Sequence, residues 1–212
     1  MKTYPNRPSF RPAFFVGLAA AGLLSVVGAE AQLKKGVWFQ KFVEPQDFEP
    51  NRKGYVNGTL EATFHEVNIQ LPIGHHSFWS RIYNQDVPGP AFKALPGDTL
   101  RIRLINNLID PRPDSDPNKA KEKKYLLTNL HTHGFHVNPG STKDKAGNII
   151  RASDDVLLTV TPPGWQDDPA IPIENGVKEQ LQYEFRIPPY HAPGTHWYHP
   201  HRHGSTAKQV EN

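Results

Sequence analysis

Two short histidine motifs constrain the fold of this chain more than any other feature. His131 and His133 form one His-x-His pair, and His199 and His201 form a second. On an extended strand, residues i and i+2 point to the same face, so each pair presents two imidazoles side by side. One such pair is also consistent with a polar strand face. Two pairs set among apolar strand residues predict a metal site, because imidazole suits copper, zinc, iron and nickel.

These histidines lie within stretches that resemble a known protein family. The stretches 131–134 (His-Thr-His-Gly) and 197–204 (Trp-Tyr-His-Pro-His-Arg-His-Gly) resemble the first two copper-binding motifs of multicopper oxidases, which include laccases and ascorbate oxidases. The segments 83–90 and 96–102 are similar to the family's N-terminal strand-and-turn pattern. The resemblance runs from about Leu60 to the end of the chain. In the family, these motifs belong to the first of several cupredoxin domains, and two further histidine motifs lie in the last domain.

The resemblance implies a role for each histidine of the two pairs. By resemblance, His131 is a ligand of the type 2 copper, and His133, His199 and His201 are ligands of the type 3 copper pair. Together they would form half of a trinuclear cluster that reduces dioxygen to water. The chain contains no cysteine, and a blue copper site needs a cysteine thiolate with two histidines. We therefore expect copper as the cofactor and no type 1 copper, and we leave enzymatic activity of the chain alone open.

Three functions fit these motifs. The first is the copper-binding N-terminal domain of an exported multicopper oxidase, with copper ions and, if the site is completed, dioxygen as its partners. A C-terminal partner chain or a homo-oligomer could complete such a site. The second is a stand-alone copper- or zinc-binding cupredoxin-like module without turnover. The third is a mononuclear metalloenzyme on a β scaffold, which needs a carboxylate or a third histidine at a matching distance.

The start of the chain resembles a secretory signal peptide. Lys2, Arg7 and Arg11 precede an apolar run over residues 13–27, and residues 29–31 form an A-x-A cleavage site. An uncleaved membrane anchor is the alternative, but the run is short of the about 20 apolar residues that span a bilayer. We expect export to the periplasm or the medium, with no membrane association after cleavage. The predicted domains are a signal peptide (1–31), an irregular arm (32–58) and a C-terminally incomplete cupredoxin-like domain (59–212).

Charge gives little support for a nucleic-acid partner. The net charge of the whole chain is +3, and cleavage would remove three basic residues and one acidic residue, leaving the mature chain almost neutral. Lys119, Lys121, Lys123 and Lys124 cluster, but Glu122 lies among them and no aromatic residue is interleaved. A solvated loop explains this cluster better than a nucleic-acid surface does.

Short alternating segments between proline and glycine turns predict an all-β fold. The clearest is 180–187, in which Leu181, Tyr183 and Phe185 share one face. Such strands indicate a sandwich or a barrel, and the resemblance specifies a Greek-key cupredoxin-like sandwich that lacks its closing strand after Asn212. The predicted strands are 60–71, 78–83, 99–106, 125–133, 154–160, 180–187 and 195–201, with loops at 110–124 and 138–152.

Overall fold

The computed structural model describes residues 44–71, 73–116 and 118–210. The predicted signal peptide, residues 32–43 of the predicted arm, and the closing strand predicted beyond Asn212 lie outside the described residues. No helix within the described ranges is long and apolar enough to cross a membrane. The strands are β1 (Asp47–Phe48), β2 (Tyr55–Leu71), β3 (Gly74–Tyr83), β4 (Ala91–Phe92), β5 (Thr99–Asn107), β6 (His131–His133), β7 (Ser141–Lys143), β8 (Ile149–Ala152), β9 (Thr159–Thr161), β10 (Gly176–Lys178), β11 (Gln180–Arg186) and β12 (Trp197–His199). The helices are α1 (Lys119–Glu122), a 3₁₀ helix (Lys123–Leu126) and α2 (Ser205–Val210).

Six of the strands form one mixed sheet in the order β3-β2-β5-β11-β8-β7. Its centre is the antiparallel pair β5 and β11, with Tyr183 opposite Ile102. β2 runs parallel to β5 on the other side. Three two-stranded pairs complete the described β-structure, namely β1 with β4, β9 with β10, and β6 with β12.

The alternating pattern of β5 and β11 explains why they occupy the centre of the sheet. Every second residue of each strand is buried, and the others are partly or fully exposed. Removing a Leu, Ile or Phe side chain from water stabilises the fold by about 1.5–3 kcal/mol each. The prediction of strands at 99–106 and 180–187 is therefore confirmed. The buried residues of the two strands are Leu100, Ile102, Leu104, Asn106, Leu181, Tyr183 and Phe185.

A second layer covers the buried face of this sheet. Leu130, Leu158 and Val160 belong to the same core cluster as the side chains of β5 and β11. The backbone N–H of Leu130 donates a hydrogen bond to the hydroxyl oxygen of Tyr183 at 3.2 Å. The segment that leads into the first histidine pair therefore lies directly on the central sheet, and the all-β expectation is confirmed.

The strand predicted at 125–133 is wrong over most of its length. The segment begins in the 3₁₀ helix, and only β6 is a strand. Among the described residues, the approach to β6 pairs with another strand only at Thr128, which bridges Val160, and side-chain amides bond the neighbouring carbonyls. Asn106 Nδ2 donates to the carbonyl of Leu126, and Gln209 Nε2 donates to the carbonyls of Tyr125 and Leu127.

Four further predictions of secondary structure need correction. β2 begins at Tyr55, inside the predicted arm, because its first residues pair with β5. The predicted loop 138–152 contains β7 and β8, which pair with each other at the edge of the sheet. The predicted strand 154–160 is reduced to β9, because residues 154–158 form a turn. The predicted loop 110–124 contains α1 and the start of the 3₁₀ helix.

Candidate metal centre

The two histidine motifs meet because β6 pairs with β12. The pairing is antiparallel, with His131 opposite His199 and His133 opposite Trp197. Since side chains alternate between faces along a strand, these four residues share one face of the pair. The opposite face carries Thr132, which is buried.

Three imidazoles converge on this shared face. Each of His131, His133 and His199 offers a ring nitrogen, and the three nitrogens lie within 4.8 Å of one another. The ring centroids of His131 and His199 are 5.1 Å apart, and that of His133 is 5.7 Å from His199. His201 stands beside this trio, with its ring 5.1 Å from that of His131 and 6.1 Å from that of His199. The structure therefore brings together three of the four predicted ligands and places the fourth at their edge.

His199 is the buried member of the trio, and its hydrogen bonding suits a metal ligand. Its Nδ1 lies 2.9 Å from the carbonyl oxygen of Pro200, to which it donates. Its Nε2 is buried and has no hydrogen-bond partner. Burial lowers the pKa of the His199 imidazole, and the positive charge that its histidine neighbours acquire on protonation lowers it further, whereas the hydrogen bond to Pro200 acts in the opposite direction. The neutral imidazole that a metal requires is thus favoured.

Asp154 orients His131. Both of its carboxylate oxygens lie within hydrogen-bond distance of His131 Nδ1, at 2.9 and 3.0 Å. One of these oxygens also accepts from the N–H of Thr132 at 2.9 Å and from its hydroxyl at 3.1 Å. With Nδ1 engaged in this way, His131 directs Nε2 towards the other imidazoles, as carboxylate partners of metal-bound histidines do. The sequence carries no signal for this contact, because 23 residues separate His131 from Asp154.

Trp197 covers one side of the imidazole trio. Its indole stacks on His199 with 4.1 Å between ring centroids, and on His133 with 5.0 Å. Trp197 remains 50% exposed, and His133 and His201 are also exposed. The candidate centre is therefore open to solvent beyond the indole.

The other histidines do not join this group. His191 and His196 flank the ring of Phe135, with centroid distances of 5.4 and 4.9 Å. His136 donates its backbone N–H to His191 Nε2 at 3.1 Å. Among the described residues, only His131, His133 and His199 form a group with the spacing of metal ligands. The exposed histidines outside the centre are His65, His75, His76, His136 and His203.

Comparison with known proteins shows similarity to multicopper oxidases. The chain is 28% identical over 176 residues to "Multicopper oxidase mco" of Staphylococcus haemolyticus. The aligned region covers 81% of this chain and 28% of that protein. It is 27% identical to the protein of the same name from Staphylococcus aureus, over 86% of this chain and 30% of the relative. The resemblance to multicopper oxidases is therefore confirmed. The chain spans less than a third of the length of these multicopper oxidases, and no protein-family profile matches it.

Solved multicopper oxidases are also among its structural neighbours. A Campylobacter jejuni multicopper oxidase, described as a metallo-oxidase, is 24% identical over 84% of this chain and 28% of that one, with a TM-score of 0.48. A laccase of Pediococcus acidilactici is 21% identical over 83% of this chain and 29% of its own, with a TM-score of 0.47. The predicted all-β fold class is confirmed by the strands of the structure itself, whereas the missing closing strand stays a prediction.

Proposed function

We propose that this chain is the copper-binding N-terminal domain of an exported multicopper oxidase and carries half of the ligands of a trinuclear copper site. The observation that supports this most strongly is the convergence of three imidazole nitrogens within 4.8 Å. The buried, unpartnered Nε2 of His199 supports it further, because a buried polar atom without a partner is costly unless a ligand satisfies it. Imidazole suits copper, so the residues present fit the metal that the resemblance implies.

Each residue has a defined task in the proposed centre. One metal ion is held by the ring nitrogens of His131, His133 and His199 that face one another. His201, at the edge of this trio, binds a neighbouring ion. Asp154 accepts a hydrogen bond from Nδ1–H of His131, and the carbonyl of Pro200 accepts one from Nδ1–H of His199. These bonds fix the tautomer and the ring orientation of both histidines. Trp197 excludes water from one side of the trio. Bound copper would supply the one-electron chemistry that reduction of dioxygen requires.

The proposed role also needs ligands beyond the two histidine pairs and a copper that accepts electrons from substrate. A type 1 copper needs a cysteine, and the chain has none. We therefore expect copper ions as the direct partners, and dioxygen only when a C-terminal partner chain or a homo-oligomer completes the site. The purified, copper-loaded chain should lack the intense blue absorption of type 1 copper and should not oxidise phenols. A strong blue band or steady oxygen uptake by the pure chain would contradict this.

Export belongs to the same proposal. The signal-like residues 1–31 support it, with cleavage between Ala31 and Gln32 and release into the periplasm or the medium. N-terminal sequencing of protein recovered outside the cytoplasm tests it. A mature chain that still starts at Met1 and sediments with membranes would contradict it.

A copper titration tests the binding proposal. Because Trp197 stacks on His199, bound copper(II) should quench its fluorescence, and isothermal titration gives the affinity on the same sample. His199→Ala should abolish tight binding. The matched control replaces His75 and His76 by Ala, which are exposed histidines outside the centre. Equal losses from both variants would mean adventitious surface binding. Tight binding without turnover is expected both of this proposal and of a stand-alone copper- or zinc-binding module. Oxygen uptake that appears only after a C-terminal partner chain is added would favour the first.

A further inference from the structure

The hydrogen-bonded ladder between the two histidine motifs ends before the fourth histidine. The last register pair joins His199 to His131. Pro200 follows and has no N–H, so it cannot continue a ladder. His201 therefore lies beyond the pairing that positions the other three histidines. Its ring nevertheless stands 5.1 Å from that of His131, so another contact must hold it there.

That contact is made by the side chain of Asn129. The backbone N–H of His201 donates to Asn129 Oδ1 at 2.5 Å. Asn129 is fully buried, and its Nδ2 donates to the carbonyl oxygens of Val156 at 2.9 Å and Leu158 at 3.0 Å. A buried carboxamide with both donor hydrogens and its acceptor engaged has little freedom to rotate.

Asn129 thereby joins three segments that surround the centre. It lies two residues before His131 on one segment, and it binds His201 on a second. The third segment, Val156–Leu158, belongs to the same turn as Asp154, the partner of His131 Nδ1. A shift of the Asn129 carboxamide would therefore move His201 relative to His131 and would also disturb the turn that orients His131.

We propose that Asn129 is a positioning residue of the metal centre, which holds His201 beside His131 where the strand ladder has ended. The inference deepens the proposed function and rests on it for the identity of the metal. Asn129 does not itself reach the metal in this arrangement, since its side-chain oxygen and nitrogen are both engaged by backbone groups. Its effect should therefore appear only through His201 and His131.

Asn106 provides a matched control of the same residue type. It is also fully buried, and its Nδ2 donates to two carbonyls, those of Leu126 at 2.8 Å and Val160 at 2.7 Å. Its Oδ1 accepts from the N–H of Leu108 at 3.1 Å. It makes no hydrogen bond to a histidine of the centre. Asn106→Asp therefore reports the loss of folding stability on altering a buried carboxamide that makes three hydrogen bonds away from the site.

The test compares Asn129→Asp with Asn106→Asp in a copper(II) titration of the full chain. Both variants should unfold at a lower temperature than the parent chain. In each, a carboxylate oxygen replaces the amide nitrogen and is repelled by the two carbonyl oxygens to which that nitrogen donated. Only Asn129→Asp should also weaken copper binding, by roughly 10- to 100-fold, the range for partners of metal ligands. In a His201→Ala background, most of this loss should disappear, because the two changes act through one contact. Equal losses from both asparagine variants, or a full loss in the His201→Ala background, would overturn the proposal.

Amide hydrogen exchange on the unaltered, metal-free chain provides a second measurement if Asn129→Asp fails to fold. The His201 N–H should exchange more slowly than in an unstructured peptide of the same sequence, since Asn129 accepts it. Exchange at the unstructured rate would overturn the proposal whatever metal binds. If His201 is protected but the chain binds no copper, the proposed function fails while the positioning contact stands.

Discussion

Replacing Asp154 by Asn is the sharpest single test of how the centre is held. Both carboxylate oxygens of Asp154 lie within hydrogen-bond distance of His131 Nδ1. One of them also accepts two hydrogen bonds from Thr132. The side chain of Asp154 is 14% exposed and the side chain of His131 is 21% exposed. Solvent therefore screens the interaction between them only weakly. The carboxamide introduced by Asp154→Asn would keep the shape of the side chain and one acceptor oxygen, and would lose the negative charge.

The expected magnitude follows from the bond that is weakened. A hydrogen bond to a charged group contributes about 1.5–3 kcal/mol, and about 1.4 kcal/mol corresponds to a tenfold change in an equilibrium constant. The amide of Asp154→Asn also makes the Nε2 of His131 a poorer electron donor, because a carboxylate partner raises the basicity of the ligand. We therefore expect copper binding to weaken roughly 10- to 100-fold, with a smaller loss of folding stability from the Thr132 contacts.

The assay is a copper(II) titration against a competing chelator, with thermal unfolding measured on the same preparations. Asp155→Asn is the matched control, because it makes the same change of charge one residue further along. Asp155 accepts a hydrogen bond from the N–H of Leu157 at 3.2 Å and does not contact a histidine of the centre. Unchanged affinity in Asp154→Asn would refute the orienting role, and an equal loss in Asp155→Asn would show that only the overall charge matters.

Three further predictions concern the core, acid stability and the pH dependence of binding. Leu104→Ala should lower the free energy of unfolding by about 2–5 kcal/mol in urea denaturation, because Leu104 is fully buried in the core; a loss below about 1 kcal/mol would contradict the assigned packing. Burial alone would raise the pKa of Glu184, but hydrogen bonds from Arg186 and Arg101 outweigh it and lower that pKa. This stabilisation is present above the ordinary glutamate pKa and is lost as the pH falls through the lowered value. Glu184→Gln should therefore destabilise the chain at pH 7, and the difference in stability should shrink as the chain is acidified. Copper affinity should fall in acid as imidazoles protonate, and replacing His75 and His76 by Ala should leave this fall unchanged; a pH-independent affinity would exclude histidine ligands.

The sequence predicts the parts of this fold that depend on local pattern. β5 and β11 follow from their alternation, because burial of one face is enough to select a strand. The meeting of the two histidine motifs follows from their i, i+2 spacing and from the resemblance to multicopper oxidases. Spacing alone does not distinguish His201 from the three that converge. That difference arises at Pro200, where the ladder stops.

The features that the sequence does not predict are those made by distant side chains. The sequence predicts Asp154 at the start of a strand, whereas in the structure it lies in a turn and binds His131. The segment before β6 has the apolar content of a strand, but it bridges β9 only at Thr128, and carboxamides from Asn106 and Gln209 bond its other carbonyls. A carboxamide can form hydrogen bonds with any backbone group within reach. Neither the hydrophobic periodicity nor the composition of the sequence therefore indicates which segment it will bind.

The position of the centre at the end of a short ladder explains why it is both ordered and open. β6 and β12 share only three register pairs, and the rings of His131 and His199 are fixed from behind by Asp154 and by the carbonyl of Pro200. In front, His133 and His201 are exposed, and Trp197 stacks on His199. Further ligands from another domain or chain could therefore approach on the side of His133 and His201. A centre that is held from one side and open on the other has the geometry expected of half a site.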